Sequence, residues 1–327
     1  MRIAVDAMGG DYAPEEIIKG TLIAAEKSPD NQLILVGKQE RMQPYLPGVL
    51  PKNVSLYEAS EVVEMDEHPA NAVRKKKDAS IVVATKLVKQ GEADALVSAG
   101  STGAQMAASL LGLGRIKGIE RPAIATVLPT EEGGKLVLDV GANLDATPEQ
   151  LLQYAFMGNI YAEKILGIEK PRVGLLNIGS EEGKGNDLTQ KTYILLKKTQ
   201  LNFIGNVEAR DVPYGRADVV VCEGFVGNVL LKMTEGVAGV LFNQIKEKIT
   251  SNMIRKLGAL AIKSGLKEIA QMMDYAEYGG APLLGVNGIS IICHGSSKAK
   301  AIYNAIRVAG ECVEMQLIKQ IAEDLPK

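Results

Sequence analysis

Tryptophan is absent from this 327-residue chain, phenylalanine occurs 4 times, and aromatic residues make up 4 % of it. Without aromatic platforms, unpaired bases have nothing to stack on. No excess of positive charge compensates. Lys and Arg number 37 against 39 Asp and Glu, a formal net charge of −2, so the attraction that drives phosphate-backbone binding is missing as well. Nucleic acid is thereby excluded as a partner. Cysteine is also sparse. Cys222, Cys293 and Cys312 are odd in number and far apart, and with only His68 and His294 beside them they offer no metal-type spacing. They read as small buried hydrophobes of a reducing compartment. An acyl-carrying role for Cys222 would need an activating base, and none is indicated. No charged-then-apolar leader precedes the strand-like Arg2–Ala7, and no apolar run reaches bilayer-crossing length. The expectation is a cytoplasmic protein that can still lie on a membrane.

What is present is an alternation of short apolar runs with helical patterns. Runs rich in Val, Ile and Leu fall at Arg2–Ala7, Gln32–Val36, Val54–Glu58, Ala95–Ser98, Ala123–Leu128, Leu136–Val140, Val173–Ile178, Asn202–Ile204, Val219–Cys222 and Ile289–Cys293. Amphipathic patterns lie between most of them, at Glu15–Lys27, Ser80–Gln90, Ala104–Leu113, Pro148–Leu166 and Asp187–Thr199. Continuous apolar strands separated by helices predict a mainly parallel sheet covered on both faces, an αβα sandwich. Glu131-Glu132-Gly133-Gly134 joins two strands without a helix and predicts a hairpin, so the sheet should be mixed. No linker divides the chain, and 1–327 is read as one large domain. Thr147-Pro148-Glu149 predicts a capped helix start, and Asp11 with Pro14 predicts another.

Four of these runs end in the same device: a turn of glycine with small hydroxyl or amide residues, then a helix. They are Ala95–Gly103, Val173–Asn186, Val219–Asn228 and Ile289–Ser297. At the carboxyl edge of a parallel sheet such turns present free N–H groups and the positive end of a helix dipole to an anion. Convergence of the four at one edge predicts an enzyme acting on a small phosphate-bearing molecule. Ser98, Gly100, Ser101, Thr102 and Gly103 supply backbone and hydroxyl donors, without the Gly-Lys-Ser/Thr of a Walker loop. Lys184, between two glycines and followed by Asn186, suits an anionic ligand or an acidic partner. His294 ends a strand and is placed to donate to an oxyanion or relay a proton, while Ser296 or Ser297 is expected to cap the helix that follows. Asp6 and the group Asp139, Asn143 and Asp145 also follow strands, and Asp6, Asp139 and Asn143 are counted with Asn186 and Ser296 among the residues expected to bind phosphate or substrate. Capping and turn bonds account for such residues more simply than Mg²⁺, so no metal or cofactor is expected.

Residues 234–276 have no strand and read as a helical hairpin projecting from the body. Its tip sets Ile254, Leu257 and Leu260 among Arg255, Lys256, Lys263 and Lys267. Apolar residues ringed by basic ones suit either a membrane surface or a dimer partner.

Together, MRIAVDAMGGDYAP at the start, SAGSTGA at Ser98–Ala104, DVGANLD at Asp139–Asp145, LLNIGSEEGKGN, EGFVGNVLLK at Glu223–Lys232, YGGAPLLGVNG at Tyr278–Gly288 and HGSSKAKAI at His294–Ile302 run in order along nearly the whole chain. They resemble the bacterial acyl-carrier-protein:phosphate transacylases of phospholipid synthesis. Two positions depart from that pattern: Ser101 stands where the family usually has Asn, and Glu223 where it often has Asp. The resemblance implies a fold like isocitrate and isopropylmalate dehydrogenases and phosphotransacetylase, and a homodimer loosely bound to the inner face of the membrane. It also implies transfer of a fatty acyl group from acyl-carrier-protein to inorganic phosphate. The acyl phosphate would pass to a membrane glycerol-3-phosphate acyltransferase. Phosphate is itself a nucleophile near neutral pH, so such an enzyme needs only to hold it and to stabilise an oxyanion. Lys184, His294 and Asn228 are groups of that kind. Two other readings are a dehydrogenase of the same fold, which the missing Gly-x-Gly-x-x-Gly disfavours, and a non-catalytic membrane scaffold.

Overall fold

A computed structural model describes residues 1–272 and 275–325. Its strands are β1 (Arg2–Asp6), β2 (Gln32–Gly37), β3 (Val54–Glu58), β4 (Ala95–Ser98), β5 (Ala123–Thr130), β6 (Gly133–Leu138), β7 (Val173–Asn177), β8 (Phe203–Glu208), β9 (Val219–Val221), β10 (Ala281–Leu284) and β11 (Ile289–Ile292). They join in one sheet of order β3-β2-β1-β4-β11-β10-β5-β6-β9-β7-β8. The central strands bury both faces. Ile3 and Val5 pack with Ile17 and Ile302 on one side, and Ala4 and Leu96 with Ile81 and Leu87 on the other. Period-two alternation between two helix layers is the reason the runs are apolar throughout. The helices Glu15–Lys27, Pro148–Lys164 and Ala299–Glu314 cover the first face, and Ser80–Lys89 and Thr102–Gly112 the second. The expected mixed αβα architecture is the observed one.

One strand escapes the sequence reading. β10 is four residues long, contains Pro282 and follows two glycines, all poor strand signals. It pairs antiparallel with both β11 and β5, and β5 pairs antiparallel with β6 in the expected hairpin. Three reversals in succession leave β6, β9, β7 and β8 running opposite to β3, β2, β1, β4 and β11. The four glycine turns therefore do not share one edge. Those after β4 and β11 lie at one edge of the sheet, and those after β7 and β9 at the other.

Helix starts are mixed in outcome. Thr147 forms a reciprocal capping box with Gln150, as its sequence predicts. Asp11 does not cap: the first helix begins after Pro14 without a side-chain cap. Neither Ser296 nor Ser297 caps the helix Ala299–Glu314, whose Ala299 N–H donates instead to Glu16 Oε2 at 2.9 Å. The N-cap position falls on Lys298, one residue past Ser297.

The projecting region starts earlier than expected, with a helix over Gly224–Ile249, followed by helices Met253–Ala261 and Lys263–Met272. Residues 273 and 274 of the expected hairpin 234–276 lie outside the described residues. By length and composition the 26-residue Gly224–Ile249, which contains an 18-residue window of mean hydropathy 1.4, could cross a membrane, contrary to the expectation from sequence runs. Its first turns are fixed to the α/β body, however. Gly224 N–H donates to Asn143 O at 2.8 Å, and a Cβ at Gly227 would collide with Asp139 O. Only glycine permits that approach.

Candidate functional site

Two helices reach the same face of the sheet from its opposite edges. Thr102–Gly112 follows β4 and is seated on β11 by Gln105, whose Nε2 donates to Ser290 Oγ at 3.0 Å and Ile291 O at 2.9 Å. Gly224–Ile249 follows β9, with Glu223 accepting from Phe225 and Val226 N–H at 2.7 and 2.9 Å to cap it. Between them, over β5, β10 and the end of β11, lies a groove of ≈ 800 Å³, a size that suits a small-molecule ligand. Its floor is Ile124, Thr126, Leu128, Ala281 and Ile292, and one end gathers Thr102, His294 and Ser296. The helical wall carries Asn228, Leu231, Lys232, Glu235, Ala238, Gly239 and Phe242, a stripe spaced three and four apart.

The polar groups of this groove are available. Among the described residues, neither the Asn228 amide nor the Lys232 ammonium has a hydrogen-bond or ion-pair partner. His294 Nδ1 lies 2.7 Å from Ser296 Oγ and accepts from Ser296 N–H at 3.2 Å. An acceptor Nδ1 puts the proton of the neutral imidazole on Nε2, which then serves as a donor. Ser296, expected as a cap or a ligand, thus orients the imidazole.

The other residues expected at the site are placed elsewhere. Asp6 is buried and accepts from Ser98 Oγ at 2.7 Å and Met8 N–H at 3.1 Å, and Ser98 Oγ accepts from Gly100 N–H at 3.1 Å. Here the turn after β1 locks onto the turn after β4, since a Cβ at Gly9 would stand 2.6 Å from Gly100 N. Burial pushes the Asp6 carboxyl up, against the pull of its donors. Ser101 caps its helix through Ala104 N–H, and Gly103 lies against Pro69. Asp139 is fully buried and accepts from the N–H groups of Ile124, Gly141, Ala142 and Asn143 and from Asn143 Nδ2, at 2.7–3.1 Å. Burial raises its carboxyl too, with these donors opposing. Asn143 further ties the turn to Pro122 O at 2.7 Å. These residues shape the turn that carries Gly141 into the groove.

Lys184 and Asn186 are exposed and do not line the groove, and Asn186 caps Asp187–Leu196 through Thr189 N–H at 3.0 Å. Lys232 is the cation that sequence reading missed there. Its spacing of four from Asn228 was the available signal. Among the described residues no group of three His, Cys, Asp or Glu is placed to hold a metal. The cysteines are all buried, and burial pushes the thiols of Cys293 and Cys312 up to about 12 and raises Cys222 strongly. Iodoacetamide at neutral pH is therefore expected to label none of the three in the folded protein and all three after denaturation, counted by intact mass. Rapid labelling of Cys222 in the native state would contradict this.

Comparison with known proteins decides the family. A family model described as "Fatty acid synthesis protein" matches residues 1–320. A phosphate acyltransferase of Desulfitobacterium hafniense is 74 % identical, covering 100 % of this chain and 98 % of that protein. One of Heliobacterium modesticaldum is 60 % identical over the same shares. This chain belongs to the phosphate acyltransferase family. Among solved structures, a phosphotransacetylase from Streptococcus pyogenes has a TM-score of 0.63 at 18 % identity, covering 96 % of this chain and 94 % of that one. EutD phosphotransacetylase from Staphylococcus aureus has a TM-score of 0.62 at 16 % identity with the same coverage. At such identities the likeness is one of fold.

Proposed function

We infer that this protein transfers a fatty acyl group from acyl-carrier-protein to inorganic phosphate, giving an acyl phosphate for phospholipid synthesis. The observation that supports this is the groove: the Asn228 amide and the Lys232 ammonium, without partners among the described residues, and the Nε2 side of His294 stand beside a long, largely apolar floor. A phosphate oxygen attacks the thioester carbonyl carbon. The carbonyl oxygen becomes the oxyanion of a tetrahedral intermediate, the C–S bond breaks, and the phosphate proton ends on the carrier's thiol. Phosphate is the nucleophile, so no residue need be acylated. Lys232 and the Thr102 hydroxyl hold phosphate, and His294 Nε2–H with the Asn228 amide faces the developing oxyanion. Incubation of the purified protein with palmitoyl acyl-carrier-protein and phosphate should yield palmitoyl phosphate by mass. Release of free fatty acid alone would defeat the reading.

Lys184, exposed at the opposite edge from His294, suits the acidic carrier rather than phosphate. Lys232→Ala should raise KM for phosphate by roughly 10–100-fold, as expected for loss of a charged hydrogen bond. Lys184→Ala should leave that KM alone and raise KM for the carrier, an effect fading with added salt. The reverse assignment would appear as exchanged KM effects.

The protein is further proposed to be a cytoplasmic homodimer peripheral to the membrane, delivering acyl phosphate to a membrane glycerol-3-phosphate acyltransferase. On Gly224–Ile249, Val229, Val237, Val240 and Leu241 are exposed and would cover one another between copies. Ile254, Leu257 and Leu260 are 83 %, 65 % and 66 % exposed on Met253–Ala261, with Arg255 and Lys256 beside them. Apolar side chains of this kind contribute about 1.5–3 kcal/mol each when buried, enough for reversible attachment to lipid. Replacing all three with Ser should abolish co-sedimentation with anionic phosphatidylglycerol vesicles. Unchanged sedimentation would make this helix a packing element.

A further inference from the structure

The groove contains a feature that phosphate chemistry does not use. The wall of Gly224–Ile249 changes character along its length, from Asn228, Lys232 and Glu235 to Ala238, Gly239 and Phe242. Phe242 lies fourteen positions after Asn228, about 21 Å along the helix axis. Ala270, on Lys263–Met272, joins Phe242 at this far end. An activated carbonyl held at His294 and Asn228 would run its hydrocarbon tail along that wall. Small residues occupy it one turn before the aromatic ring, and a Cβ at Gly239 would meet no atom within 4 Å.

We propose that Gly239, with Ala238 and Phe242, sets the length of acyl chain this enzyme accepts. The proposal rests on the acyl-transfer reading above. Space beside Gly239 admits the distal methylenes, and Phe242 bounds the space beyond. Glycine is a poor choice for a helix interior, where almost any other residue favours the helix more. The absent side chain leaves room at this point of the groove. Gly236, three residues away, also faces open space but does not line the groove, and so provides a control.

The test compares palmitoyl with octanoyl acyl-carrier-protein as donors for the full-length enzyme, taking the ratio of their kcat/KM values. Each methylene kept in water forfeits roughly fourfold in binding. Gly239→Leu should therefore lower the palmitoyl-to-octanoyl ratio by about tenfold or more, and Gly239→Phe further. Gly236→Leu should leave the ratio as in the wild type. Phe242→Ala should move the preference the other way, toward stearoyl and longer donors. Circular dichroism confirms that each variant is folded before its ratio is taken. A folded Gly239→Phe enzyme that makes acyl phosphate with an unchanged ratio overturns the proposal while sparing the transfer reaction. A wild-type enzyme that makes no acyl phosphate from either donor overturns both.

Discussion

Replacing His294 with alanine is expected to lower kcat for acyl phosphate formation by roughly 10²–10³-fold, with the fold intact. The size follows from loss of one preorganised donor to an oxyanion. The imidazole lies at the end of β11 and is exposed toward the groove, so its removal opens no core cavity. KM for phosphate should change little, because the interaction strengthens only as negative charge develops on the carbonyl oxygen. Ser296→Ala offers a graded comparison. It removes the hydroxyl at 2.7 Å from Nδ1 but keeps the backbone N–H that fixes the tautomer, so a smaller loss is expected. Steady-state kinetics with far-ultraviolet circular dichroism checks both variants. An active His294→Ala enzyme with wild-type kcat would remove the imidazole from the mechanism.

Asp139→Ala should destabilise the fold severely, by about 3–5 kcal/mol. The carboxylate accepts from four backbone N–H groups and one side-chain amide in a fully buried turn. Each buried donor left without a partner costs about 1–3 kcal/mol, and partial rearrangement reduces the sum. Against a typical total of about 5–15 kcal/mol, such a loss takes up much of the protein's stability. Asp139→Asn keeps the shape but turns an NH₂ toward donors, so it should recover only part of the difference. Urea unfolding followed by circular dichroism measures both. An Asp139→Ala midpoint equal to the wild type would show that the turn does not depend on this carboxylate. The same substitution should also reduce activity, since the turn positions Gly141 in the groove and holds Gly224 at the start of the long helix.

The layered architecture was legible in the chain because its cause is local. Runs such as Ile3–Val5 and Leu96–Val97 are apolar at every position, which only a sheet covered on both faces requires. The Glu131–Gly134 hairpin and the Thr147 cap were legible for the same reason, since both depend on neighbours a few residues apart. Glycine turns marked the right neighbourhoods, and four expected residues, Thr102, Asn228, His294 and Ser296, do line one groove.

Strand direction was not legible. It depends on β10, four residues around Pro282 whose pairing with β11 and β5 is wholly tertiary. By reversing the sheet, β10 and the hairpin part the turns to opposite edges and move the meeting place onto the sheet's face. That displacement leaves Lys184 outside and brings Lys232 in. Residue type alone determined which groups are able to bind an anion. Which of them face a common space was decided by long-range strand pairing, because hydrogen-bond register between distant segments leaves no periodic trace in the sequence.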